Sequence, residues 1–94
     1  MNESIINLFG TYLSELIQKP TSACKGFIRF EIRKFLNLYD ASDDQSISYE
    51  DFHYIVQNSM KQDLINANIL NVNEVLEKLT NEITLQKVIF SMSI

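Results

Sequence analysis

Apolar positions recur at intervals of three and four along most of this chain, the period of an amphipathic helix. From Glu3 to Lys19 they are Ile5, Leu8, Phe9, Tyr12, Leu13, Leu16 and Ile17, which make one broad stripe. The spacing predicts a helix capped by Asn2 or Ser4. It should end at Lys19-Pro20, because a residue before proline avoids helical geometry. Pro20-Thr21-Ser22 reads as a connector, followed by a second helix over about 23–39. Its inward positions are Phe27, Ile28, Ile32, Phe35, Leu36 and Tyr39, with Arg29, Arg33 and Lys34 opposite. A third helix is expected from Tyr49 to near Asn66, burying Phe52, Ile55, Val56 and Met60. Val72, Val75, Leu76 and Leu79 predict a fourth, capped by Asn71 or Asn73 and broken at Thr80-Asn81-Glu82. Leu85 to Met92 reads as a fifth helix. A strand over 87–90 is the alternative, but it would have no partner to pair with.

Composition sharpens this to an all-α fold. The chain has only two glycines and one proline, too few for the turns that sandwiches and barrels need. Its 94 residues suit one modest core, and a hydrophobic share of 46% against 21% charged is that of a folded chain. A net charge of −4 argues against nucleic acid, whose phosphates need a basic face. The basic run Lys25, Arg29, Arg33, Lys34 falls at helical spacing and reads as a solvated face rather than a phosphate or anionic-lipid patch. One cysteine, Cys24, excludes an intramolecular disulfide and fits a reducing compartment. The opening MNESIINLFG lacks the basic start and long apolar run of a secretory signal, and no stretch approaches the roughly 20 apolar residues of a membrane span. A cytoplasmic location is the expectation.

The chemistry-bearing segment is DASDDQSISYED, residues 40–51. A twelve-residue calcium loop presents oxygens at positions 1, 3, 5, 7, 9 and 12, the seventh through its backbone carbonyl. Counted from Asp40, these are Asp40, Ser42, Asp44, Ser46, Ser48 and Asp51, and every one of these side chains bears an oxygen. Calcium, a hard cation, takes six to eight oxygens, so Ca²⁺ at one weak site, or Mg²⁺ in its place, is the cofactor expectation.

With its flanks, FLNLYDASDDQSISYEDFHYIV resembles the EF-hand superfamily, which includes calmodulin and the myosin light chains. That family places apolar residues eight, five, four and one positions before the loop, matched here by Ile32, Phe35, Leu36 and Tyr39. It also places an aliphatic residue at loop position 8, here Ile47, and apolar residues after the loop, here Phe52, Ile55 and Val56. A second copy of the pattern lies forty residues on, in Val72, Val75, Leu76 and Leu79, with Ile83 in the place of Ile47. Its loop is four residues short and would serve only to pair with the first. The resemblance implies an EF-hand pair over 23–94, divided into 23–66 and a second, shortened hand over 67–94. An amphipathic helix and connector, 1–22, would precede it.

The loop departs from the family pattern at three places: Ser42 where Asp or Asn is usual, Gln45 for glycine, and Asp51 for glutamate. A non-glycine residue at the sharp turn costs on the order of 1 kcal/mol or more. Serine removes a formal charge, and the shorter Asp51 reaches less far. The ion site is therefore expected to be weak or lost.

An enzyme is not expected. His53 is the single histidine and lies outside the ligand set, so a triad or zinc cluster has little material. Cys24 has neither a histidine nor a second cysteine beside it in sequence, and Gly10 and Gly26 are isolated. Phe27, Phe30, Phe35, Tyr39, Phe52 and Tyr54 read first as core, with a subset, joined by Met60 and Met92, lining a groove for an amphipathic target helix. The resemblance implies a light-chain-like adaptor that grips a helix of a larger protein, such as a myosin-type motor or another cytoskeletal protein. The rivals are a calcium-responsive sensor using 40–51, and a constitutive structural subunit of a cytoskeletal or ciliary assembly.

Overall fold

Helices account for nearly all of the regular backbone, and the computed structural model describes them over residues 2–36 and 46–92. They are α1 (Glu3–Ile17), α2 (Thr21–Leu36), α3 (Tyr49–Ile55), a π turn (Val56–Met60), α4 (Lys61–Asn66), α5 (Val72–Leu85) and α6 (Val88–Met92). α3, the π turn and α4 run on as one rod. Among the described residues there is no strand, so 87–90 is not extended.

α1 buries Ile5, Ile6, Phe9, Gly10 and Leu13 and lies against α2, α5 and α6. Its apolar face is part of the core. It stops at Ile17, earlier than expected, because Gln18 turns left-handed (φ 56) before proline can act. α2 starts at Thr21, where the Pro20 carbonyl accepts from the Cys24 N–H at 3.1 Å, so the expected connector is already helical. α1 and α2 approach closely at Gly10. A Cβ there would sit 2.8 Å from the Lys25 Cα, an overlap with backbone that no rotamer change relieves.

α2 buries Cys24, Ile28, Glu31 and Ile32. Phe35, expected inward, is 39% exposed with its ring 6.0 Å from that of Tyr54, and Phe30 is exposed as well. Tyr39 lies outside the described residues. Phe52, Ile55, Val56, Met60 and Leu64 form the buried face of the rod. The π turn widens the helix by a residue, which keeps Val56, Met60 and Leu64 on one line. The Asn58 side chain, donating to the Tyr54 carbonyl at 2.9 Å, occupies a backbone acceptor there.

The rod ends in a Schellman turn. The Ile69 N–H bonds the Leu64 carbonyl (3.2 Å), the Asn68 N–H bonds that of Ile65 (3.0 Å), and Asn68 sits at φ 64. α5 then runs without interruption through residues 80–83, where a break and a shortened loop were expected. Ile83, four residues after Leu79 and seven after Leu76, continues the buried stripe. Burying it outweighs the few tenths of a kcal/mol per residue by which Thr and Asn disfavour a helix. α6 is shorter than the expected 85–92 and carries the buried Phe90.

Gly10→Ala gains helix propensity of about 1 kcal/mol but forces α1 from α2. The net expectation is destabilisation by ~1–3 kcal/mol, measured by thermal or urea unfolding.

Candidate functional site

The six candidate ligands divide across the boundary of the described chain. Asp40, Ser42 and Asp44 lie outside the described residues, as does Asp43. Ser46, Ser48 and Asp51 lie inside, leading into α3. Ser48 is the N-cap of α3, its hydroxyl accepting from the Asp51 N–H at 3.1 Å. Glu50 and Asp51 occupy the first turn, where the helix dipole favours negative charge.

Ile47 is buried. Its N–H, expected to pair with a second loop, instead donates to Asn2 Oδ1 at 2.8 Å. Asn2 is buried, and its side chain does not cap α1. The end of residues 40–51 is thus tied to the start of α1, while Ile83, its expected partner, is a helical core residue of α5.

An open apolar groove of about 350 Å³ lies at the opposite end of α1. Leu13 and Ile17 of α1 form one wall, Cys24 and Phe27 of α2 another, and Leu64, Ala67 and Ile69 the third, with Lys19 and Pro20 at the rim. Ile69 reaches the groove because the Schellman turn folds it back over Leu64. Leu70 follows it into solvent at 98% exposure, and Ile65 is also exposed. Of the residues expected in a groove, Phe27 is there. Met60 is fully buried in the core, and the side chain of Met92 lies outside the described residues.

A third feature was not foreseen. Glu31 of α2 is fully buried, accepts from Ser59 Oγ at 2.6 Å, and lies near Lys34 and Asp63 of α4. Its signal was spacing: it stands three residues after Ile28 and one before Ile32, on the apolar face. Lys34 Nζ bonds Asp63 Oδ2 at 2.8 Å, and Arg29 pairs with Glu3 at 3.3 Å. Two members of the basic run are therefore engaged in joining helices rather than only solvated.

His53 packs beside Tyr49, with ring centroids 6.3 Å apart. Cys24 is buried, and burial pushes its thiol upward, so it stays protonated. Among the described residues no three His, Cys, Asp or Glu side chains group to hold a metal, and no helix is long and apolar enough to cross a membrane. In comparisons with family models, curated proteins and solved structures, the chain matches none.

Asn2→Ala leaves the buried Ile47 N–H without an acceptor, which is expected to cost about 1–3 kcal/mol. Asn2→Asp keeps an acceptor and should recover most of it, as chemical denaturation of the two variants would register.

Proposed function

We propose that this chain is a non-catalytic, EF-hand-like adaptor that holds an amphipathic helix of a larger protein. The observation that carries the reading is the apolar groove between Leu13 and Ile17, Phe27, and Leu64 with Ile69. An amphipathic helix lays three or four apolar side chains into such a groove, and each buried Å² contributes ~25 cal/mol before ordering costs. Exposed Ile65 and Leu70 extend the apolar surface past the groove's edge. The light-chain resemblance of residues 32–56 points to a motor or other cytoskeletal protein as the bearer of that helix. The ion site is weak or lost in this reading, because Ser42, Gln45 and Asp51 depart from the loop pattern.

A calcium-responsive sensor is the second reading, favoured by the Asn2–Ile47 hydrogen bond. An ion gathered by residues 40–51 would pull on Ile47 and, through Asn2, on α1, whose far end lines the groove.

Two experiments separate the outcomes. A helical segment retained by the wild-type chain and lost by Ile17→Asp is the adaptor's expected result; equal retention by both would remove the groove from the account. Calorimetric titration with Ca²⁺ at fixed Mg²⁺ should give no saturable heat up to millimolar concentration. Saturable heat that vanishes in Asp40→Ala would make the protein a sensor instead.

A further inference from the structure

Glu31 has chemistry that the groove does not use. It is a carboxyl group at 0% exposure, in line with Cys24, Ile28 and Ile32. Its Oε1 is occupied by the Ser59 hydroxyl of the π turn at 2.6 Å, and by Lys34 Nζ at 3.6 Å. Its Oε2 is buried and receives no hydrogen bond. A carboxylate oxygen left this way costs on the order of 1–3 kcal/mol or more, whereas a protonated oxygen needs only an acceptor. An acceptor is at hand: Asp63 of α4 shares with Glu31 the Lys34 ammonium, which lies 2.8 Å from Asp63 Oδ2 and 3.6 Å from Glu31 Oε1.

We propose that Glu31, Asp63, Lys34 and Ser59 form a proton-operated latch between α2 and the rod, closed with a proton on Glu31 and loosened at the π turn when that proton leaves. In the closed state neutral Glu31 donates its O–H to Asp63, Ser59 donates to Glu31, and the Asp63 charge is matched by Lys34. Release of the proton to water leaves two carboxylates against one ammonium, with one carboxylate fully buried. The π turn is the place to yield, since its helical ladder is already interrupted. This inference does not rest on the adaptor reading.

The electrostatics agree in direction. Burial first, then the bond to Asp63, push Glu31 from 4.5 up to about 7, against the pull of Ser59 and Lys34. The bonds from Glu31 and Lys34 hold Asp63 below its ordinary value, and the bond to Asp63 raises Lys34. Among the described residues the charged groups acting on Glu31 are Lys34 from α2 itself and Asp63 from α4. The π turn adds only the neutral Ser59. A group with a raised folded pKa stabilises fully below its unfolded value of 4.5 and loses that contribution as pH rises through about 7. The Asp63 contribution is lost only as pH falls below the ordinary aspartate range, and that of Lys34 only above the ordinary lysine range. Within this cluster the interval from pH 5 to 8 therefore belongs to Glu31.

The test combines a ¹³C NMR titration of the Glu31 carboxyl with amide hydrogen exchange over residues 56–60, in wild type and Glu31→Gln. The carboxyl should titrate near neutrality. After correction for the intrinsic exchange rate, the opening constant of the π turn should rise on the order of tenfold or more from pH 5 to 8. Glu31→Gln should abolish that rise, because its amide donates to Asp63 while its carbonyl still accepts from Ser59. A carboxyl that titrates in the ordinary glutamate range, or an equal rise in the variant, would overturn the latch. Should Glu31→Gln fail to fold, the wild-type titration midpoint decides alone.

Discussion

The ring of Phe9 is the contact on which this fold turns. It is fully buried, 5.1 Å from the Phe52 ring and 6.1 Å from the Phe90 ring, and those two are 5.8 Å apart. The three residues come from α1, α3 and α6, so one cluster joins the start, middle and end of the described chain. Each aromatic pair contributes about 0.5–1.5 kcal/mol beyond the area it buries. α6 has only five residues, far too few to be helical alone, and Phe90 is its buried anchor. With α1 held at Phe9, Gly10 meets Lys25 of α2 one residue on, and Asn2 reaches Ile47 two turns back.

That placement also makes the groove. Leu13 and Ile17 continue the α1 stripe past Phe9, and the chain turns back into α2 at Pro20 beside them. The Schellman turn at Asn68 closes the third wall. A change that frees α1 would therefore remove both the groove and the Asn2 tether on Ile47. The Glu31 cluster is arranged differently, joining α2 to the rod across polar side chains rather than across the aromatic core.

Periodicity made the helices legible, because burial of an apolar stripe dominates their energetics. Ile5, Phe9 and Leu13 announced α1, and Phe52 through Met60 announced the rod. Stop signals were less legible, since they depend on what a residue earns elsewhere. Thr80-Asn81-Glu82 looks like a break until Ile83 is seen to have a core position to fill. The π turn left no pattern to read, because it goes with hydrogen bonds that periodicity does not record, from Ser59 to Glu31 and from the Asn58 side chain to the Tyr54 carbonyl. The groove was legible in Phe27 alone. Ile69 enters it through the left-handed backbone at Asn68, and Met60 is withheld from it by the tight core around the rod. Of the loop ligands, Ser48 and Asp51 fall together at the head of α3, while Asp40, Ser42 and Asp44 lie outside the described residues.

Thermal unfolding of a chain lacking residues 1–22, followed by circular dichroism beside the full chain, tests the central claim most directly. If Phe9 holds the core together, the shortened chain will show no cooperative transition and will have lost much of its helicity. A cooperative transition within a few degrees of the full chain's would contradict the account. It would make residues 23–94 a self-sufficient unit with α1 as an accessory, and one wall of the groove would no longer belong to the core.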